Sequence, residues 1–124
     1  MNTKQKITIL FIDDDHSFLE LMEMGLSIKG YHVLTSDSVT KAVDIINNNK
    51  IDFIVLDMRM DEMDGLSFLN WFRNDGKFDI PVVVSTSIAR EDIEDNVTKA
   101  GANDLIIKPF SLKQLISKLD NLAS

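Results

Sequence analysis

Five short apolar runs alternate along the chain with segments whose apolar residues recur at helical spacing, and this alternation limits the folds open to it. Short apolar runs rich in β-branched residues are typical of strands buried on both faces. We predict strands at Lys6–Ile12, Tyr31–Thr35, Phe53–Leu56, Ile80–Val84 and Asp104–Ile107. Strands that alternate with helices through short loops predict an α/β fold, here a doubly wound parallel sheet of five strands with five helices.

The segments between the strands carry the residues that begin and end helices. Asp15 and Ser111 are suited to accept from the unpaired N–H groups of a first turn, and Gly30 and Gly101 are suited to the left-handed residue after a last turn. The first helix is predicted over His16–Lys29. Its expected buried stripe is Phe18, Leu21, Met22, Leu26 and Ile28.

Length and composition exclude several classes of protein. A chain of 124 residues predicts one domain, 1–124, and the net charge of −7 argues against a nucleic-acid surface, which needs clustered Lys and Arg. No apolar run approaches the length of a membrane span, and the absence of cysteine removes thiolate metal sites and disulfides. We therefore expect a cytoplasmic protein with no membrane insertion and no direct nucleic-acid partner.

Polar residues stand where the predicted strands stop. Asp13 and Asp14 follow the first strand, Asp57 the third, Thr86 the fourth and Lys108 the fifth. Each alone has an ordinary explanation, such as a turn or a helix cap. Right-handed crossovers, however, place the carboxyl ends of all parallel strands at one edge of the sheet, so these residues are expected to lie together.

This set of residue types favours phosphoryl chemistry. Three carboxylates held close together repel one another, so their pKa values should rise without a cation, and Mg²⁺ prefers a few carboxylates together with water and phosphate oxygens. A carboxylate can act as a nucleophile toward phosphorus. The Lys108 ammonium and the Thr86 hydroxyl are suited to the phosphoryl oxygens. His16 and His32 are too few for a metal site and are expected to be structural.

Four motifs together resemble the receiver domain of two-component response regulators, in particular the single-domain chemotaxis type. They are ILFIDDD (Ile9–Asp15), IVLDMRMDEMDG (Ile54–Gly65), PVVVSTS (Pro81–Ser87) and GANDLIIKPF (Gly101–Phe110). The resemblance covers essentially the whole chain. It implies a flavodoxin-like fold with strand order 2-1-3-4-5.

The resemblance also implies a role for the acidic residues. Asp57 would be phosphorylated by a partner histidine kinase or phosphotransfer protein, with Mg²⁺ as cofactor. Asp14 would bind the metal directly, Asp13 through water, and Arg59 through its backbone carbonyl. The phosphorylated domain would change conformation and bind a downstream effector protein or domain, and its only catalysis would be to assist its own phosphorylation and dephosphorylation.

Further implied roles concern the remaining strand ends. Lys108 would pair with the phosphoryl group and precede a cis bond to Pro109, and Thr86 would hydrogen-bond a phosphoryl oxygen. The chain departs from the family pattern at Asp61, where Pro is common, at Ser87, where Ala or Gly is usual, and at Leu105, where an aromatic residue is usual. In the family the aromatic residue at this position moves inward with Thr86, and Leu105 places this movement in question. Helix four is the alternative element through which the conformational change would reach partners.

Other functions remain open at this point. A pseudo-receiver would keep the fold and signal by binding alone. A phosphatase of the haloacid-dehalogenase type would need a second Asp where Arg59 stands, as well as a cap domain, and a flavin-binding relative would need a phosphate loop after the first strand. The chain is either a stand-alone regulator or the receiver of a longer protein.

Overall fold

The computed structural model describes residues 6–59, 65–87 and 91–123. Strands and helices alternate through these ranges, as the apolar pattern predicts. The elements are β1 (Thr8–Ile12), α1 (His16–Ile28), β2 (His32–Ser36), α2 (Val39–Asn48), β3 (Phe53–Asp57), α3 (Gly65–Asn74), β4 (Val82–Thr86), α4 (Glu91–Ala100), β5 (Asp104–Ile107) and α5 (Leu112–Ala123).

All five strands form one parallel sheet in the order β2-β1-β3-β4-β5, which confirms the predicted fold class and strand order. β3 occupies the centre, between β1 and β4. The register places Leu56 opposite Ile12 on one side and opposite Val84 on the other. The carboxyl ends of β1, β3 and β4 are therefore level, and the residues that follow them meet at one edge.

The two faces of the sheet bury two separate apolar cores. Helices α2, α3 and α4 cover one face through residues that include Ile46, Phe68 and Val97. Helices α1 and α5 cover the other face, where Leu26 and Leu115 pack over Phe11 and Val55 within one cluster. Because strand side chains alternate between faces, the burial of β1, β3 and β4 on both sides accounts for their near-continuous apolar runs.

Side chains cap the first turns of two helices where the sequence predicts. The Asp15 carboxylate accepts from the Phe18 N–H at 3.2 Å at the start of α1. At α5, Ser111 Oγ accepts from the Gln114 N–H at 3.1 Å, and Gln114 Oε1 accepts from the Ser111 N–H at 2.8 Å. This reciprocal pair is a capping box, which satisfies two donors that the helix leaves unpaired.

Four strands differ from their predicted bounds: β1 begins at Thr8 rather than Lys6, β2 covers His32–Ser36 rather than Tyr31–Thr35, and β3 and β4 also differ. β4 covers Val82–Thr86 rather than Ile80–Val84, because Pro81 has no N–H to donate and the ladder with β3 begins at Val82. The Pro81 carbonyl still accepts from the Ile54 N–H at 2.9 Å. β3 extends one residue further than predicted and includes Asp57. The backbone that carries this acidic side chain is therefore held by the pairing with β4.

The predicted buried stripe of α1 is wrong in part. Leu19, Met22 and Leu26 are the buried residues of this helix, whereas Leu21 is 63% exposed and Ile28 is 82% exposed. With Met24, which is 64% exposed, Leu21 and Ile28 form a second apolar stripe at the same helical spacing that faces away from the sheet. Periodicity alone does not say which of two stripes meets the core. None of the helices within the described ranges is long and apolar enough to cross a membrane.

Arg73 in the last turn of α3 binds the loops that precede β4 and β5. Its guanidinium donates to the Gly101 carbonyl at 3.0 Å, the Phe78 carbonyl at 2.8 Å and Asn103 Oδ1 at 2.9 Å. Asn103 Oδ1 also accepts from the Val82 N–H at 2.9 Å. Burial lowers the pKa of Arg73, so these acceptors replace the water that the cation loses.

Candidate functional site

The predicted strand-end residues meet at the carboxyl edge of the sheet. Asp13 and Asp14 follow β1, and Asp57 ends β3. One carboxylate oxygen from each of these three residues lies within 4.8 Å of the others. Because all the strands are parallel and level at this edge, three positions far apart in the sequence form one acidic cluster.

Asp13 is a buried anion with a fixed cationic partner. The residue is only 2% exposed, and its Oδ2 accepts from Lys108 Nζ at 2.6 Å. Its Oδ1 accepts from the Asp15 N–H at 3.0 Å, and its own N–H donates to the Ser36 carbonyl at 3.0 Å. A buried carboxylate without partners is costly, so these contacts offset the cost of burying Asp13.

Lys108 reaches the cluster from the far side of the site. It follows β5, and its ammonium lies 4.3 Å from the centre of the Phe18 ring in addition to its ion pair with Asp13. The backbone N–H of Lys108 donates to the Thr86 carbonyl at 2.7 Å, and the bond between Lys108 and Pro109 is cis, as predicted. The cation is therefore held both by its main chain and by its side chain.

Asp57 is the central carboxylate of the cluster. Its Oδ1 accepts from the Arg59 N–H at 3.3 Å. The pKa of Asp57 is raised to about 6, by burial first and then by the charges of Asp13 and Asp14, against the lowering effects of the Arg59 N–H and Lys108. The predicted rise in pKa is seen for Asp57, with burial rather than carboxylate repulsion as its largest cause.

The other predicted positions lie around this centre. Thr86 is buried as the last residue of β4, the strand next to β3. Arg59 is exposed two residues after Asp57, so its main chain lies beside the cluster. Leu105 is half-buried in β5 opposite Val84 and packs against the core on the side of α3 and α4. Asp61 lies outside the described residues.

One polar residue of the site was not predicted. Ser85 is fully buried, and its hydroxyl has no hydrogen-bond partner among the residues that the structure describes. The ladder pairs Ser85 with Asp57. A polar residue inside the apolar run of β4 was the signal in the sequence, but only the register shows that it is the neighbour of Asp57.

The cluster fits a hard divalent cation. Its donors are carboxylate oxygens, the ligands that Mg²⁺ takes in proteins, and three of them lie close enough to share one ion. A cation would also relieve the repulsion that raises the Asp57 pKa. The arrangement combines three carboxylates with a lysine, a set of groups suited to phosphoryl transfer.

Comparison with known proteins gives consistent results. A family model described as "Response regulator receiver domain" matches residues 9–120. Response regulator MprA of Mycobacterium sp. (strain KMS) is 36% identical over 115 residues, which cover 91% of this chain and 49% of that protein. The chain spans about half the length of the curated relatives that it matches.

Solved structures share the fold over almost the whole chain. A two-component response regulator from Clostridium difficile superposes with a TM-score of 0.88 at 27% identity, covering 95% of this chain and 96% of that one. A putative response regulator from Chloroflexus aurantiacus gives a TM-score of 0.87 at 28% identity, covering 97% of this chain and all of that one.

The raised pKa of Asp57 predicts how this carboxylate affects stability. The folded protein keeps the Asp57 proton up to about pH 6, whereas the unfolded chain loses it near pH 4. The stability that protonation gives is therefore complete below about pH 4 and is lost as the pH rises through about 6. Asp57→Asn, which stays neutral, should be more stable than the parent by roughly 1–2 kcal/mol above pH 7, after allowance for solvent screening.

Urea unfolding in the presence of a metal chelator, at about pH 8 and about pH 4, measures this difference. The advantage of Asp57→Asn should disappear at the lower pH. Asp44→Asn, which removes a carboxylate from an exposed position on α2, controls for the change in net charge. An equal advantage of Asp57→Asn at both pH values would show that the carboxylate is not destabilised by its surroundings.

Proposed function

The chain belongs to the receiver-domain family of response regulators, and from this premise we propose that it is a phospho-accepting switch whose acceptor is Asp57. The observation that carries the proposal is the position of Asp57, on the central strand, in one cluster with the carboxylates of Asp13 and Asp14 and near the charge of Lys108. Receiver domains are signalling switches rather than classical enzymes. The proposed output is a change in partner binding.

The proposed reaction transfers a phosphoryl group from a histidine of a kinase or phosphotransfer protein. An oxygen of the Asp57 carboxylate attacks phosphorus, and an O–P bond forms as the P–N bond of the phosphohistidine breaks. The electron pair of that bond returns to the imidazole nitrogen, which takes up a proton from solvent. With a pKa of about 6, Asp57 is mostly ionised at neutral pH, which is the nucleophilic state.

The remaining residues of the site would stabilise the transferred group. We propose that Lys108 and the Thr86 hydroxyl bind phosphoryl oxygens, which carry the charge that develops during transfer. Lys108 is bound to Asp13 at 2.6 Å, so its ammonium already lies within the acidic cluster. Thr86 ends the strand beside Asp57, and its movement toward the phosphoryl group would draw the following loop inward.

Mg²⁺ is the proposed cofactor. Asp13, Asp14, Asp57 and the Arg59 carbonyl are the groups that would hold it, in keeping with the hard oxygen ligands of the cluster. When bound, the ion would neutralise the carboxylates and bring a phosphate oxygen to the acceptor. The chain's own contribution is to fix the three carboxylates on the ends of rigid strands, so little reorganisation is needed at the moment of transfer.

The exposed apolar stripe of α1, formed by Leu21, Met24 and Ile28, is the proposed docking surface for the phosphodonor protein. The helix begins directly after the acidic residues of the β1–α1 loop, and the stripe starts at Leu21, less than two turns into this helix. Exposed apolar patches of this kind mark protein interaction sites. A cytoplasmic kinase core or phosphotransfer protein is the proposed partner, and a downstream effector binds afterwards.

Intact-mass spectrometry after incubation with acetyl phosphate tests the acceptor. The parent chain should gain one phosphoryl group in the presence of Mg²⁺ and none in the presence of a chelator. Asp57→Asn should gain none under either condition, whereas Asp44→Asn should behave as the parent does. Absence of an adduct in the parent, together with no response to beryllofluoride, would favour a receiver that acts by binding alone.

The docking surface is tested by comparing a protein donor with a small one. Leu21→Gln/Met24→Gln should slow transfer from whichever phosphorylated kinase core or phosphotransfer protein labels the parent, by about tenfold or more, because buried apolar contacts contribute on the order of 1 kcal/mol each to docking. Labelling by acetyl phosphate should be unchanged. Ile107→Gln removes an exposed apolar side chain from β5 and serves as control. Equal slowing with both donors would place the effect in the site rather than in docking.

A further inference from the structure

Ser85 is a polar group inside an apolar strand, and nothing in the fold requires its hydroxyl. It is 0% exposed, and its Oγ has no hydrogen-bond partner within the described parts of the chain. A hydroxyl removed from water without a partner destabilises the fold, and alanine would fill nearly the same volume without that cost. Such a group in a native protein calls for an explanation outside the resting structure.

The register places this hydroxyl beside the acceptor. Asp57 and Ser85 are partners in the parallel ladder between β3 and β4, and partners in neighbouring strands point to the same face. The preceding partners on that face, Val55 and Val83, both belong to the core under α1 and α5. Ser85 therefore lies on the same face as Asp57, one strand spacing of about 4.8 Å away.

The same face carries the ion pair of the site. Phe11 and Ile106 belong to this core, and Asp13 and Lys108 follow them by two residues. In sheet order the positions on this face are Asp13, Asp57, Ser85 and Lys108. Because Lys108 Nζ bonds Asp13 Oδ2 at 2.6 Å, its side chain must extend past the ends of β4 and β3, over Ser85 and Asp57. Ser85 thus lies within the site.

Asp57 needs a donor at this position. Its carboxylate is partly buried beside Asp13 and Asp14, and the nearby cation is engaged by Asp13. The Arg59 N–H donates to Oδ1 at a long 3.3 Å. A serine hydroxyl turns among three staggered positions about χ1, so such a rotation can direct the Ser85 donor toward the partner residue on the adjacent strand.

We infer that Ser85 is a positioning residue, whose hydroxyl donates a hydrogen bond to the Asp57 carboxylate when Asp57 receives a phosphoryl group. The inference rests on the proposed function of Asp57 and deepens it. The bond would hold one carboxylate oxygen so that the other points at phosphorus, and it would offset the repulsion from Asp13 and Asp14. Hydrogen bonds to ionised groups are the stronger class, so their loss is measurable.

The test compares four variants with the parent, by the rate of phosphorylation with acetyl phosphate and Mg²⁺ and by the midpoint of urea unfolding. Ser85→Ala should be phosphorylated about tenfold more slowly while its unfolding midpoint equals or exceeds that of the parent. Ser85→Thr should keep a rate within about threefold of the parent. Ser85→Val, which has the shape of threonine without the hydroxyl, should be as slow as Ser85→Ala.

The control is Ser38→Ala, which removes a serine hydroxyl outside the site. Ser38 Oγ accepts from the Lys41 N–H at 3.2 Å at the start of α2, so this variant should lose stability and keep the parent's rate. A parent-like rate in Ser85→Ala, or equal rates in Ser85→Thr and Ser85→Val, would overturn the inference and leave Asp57 as the acceptor. Failure of the parent itself to be phosphorylated would overturn the proposed function and the inference together.

Discussion

The ion pair between Asp13 and Lys108 is the interaction on which the site depends. The two residues follow β1 and β5, which are separated in the sheet by β3 and β4, a span of about 14 Å between strand axes. Their contact at 2.6 Å therefore crosses the ends of the two strands that carry Asp57 and Thr86. Asp13 is almost fully buried, so loss of Lys108 would leave an uncompensated charge inside the fold. Stability and the proposed function thus depend on the same contact.

The Asp57 carboxylate has few partners to balance its charge, which suits its proposed function as the phosphoryl acceptor. Burial and two neighbouring carboxylates raise the pKa of Asp57, while its cationic neighbour is held by Asp13. A cation or a phosphoryl group that enters the site meets negative charge with few partners, and a Ser85 hydroxyl that has no partner among the described residues. Binding energy at such a site is available to change the contacts of Lys108 and Thr86, which is what a switch requires.

Much of this could be predicted from the sequence because topology determines where strand ends meet. Asp13, Asp57 and Lys108 come together because parallel strands share one edge, and that rule needs no side-chain detail. The stripe of α1 was predicted wrongly at Leu21 and Ile28, since two stripes have the same period and only packing selects between them. The sequence could not predict that the Ser85 hydroxyl, which has no partner among the described residues, lies beside Asp57, because this position depends on the register between β3 and β4.

The most direct test of the account is to locate the phosphoryl group. After phosphorylation with acetyl phosphate and Mg²⁺, borohydride reduces an aspartyl phosphate to homoserine, and tandem mass spectrometry identifies the position of the change. The account predicts homoserine at Asp57 and at no other carboxylate, and none when Mg²⁺ is chelated. Homoserine at Asp13 or Asp14, or an unmodified Asp57 in a phosphorylated chain, would contradict it.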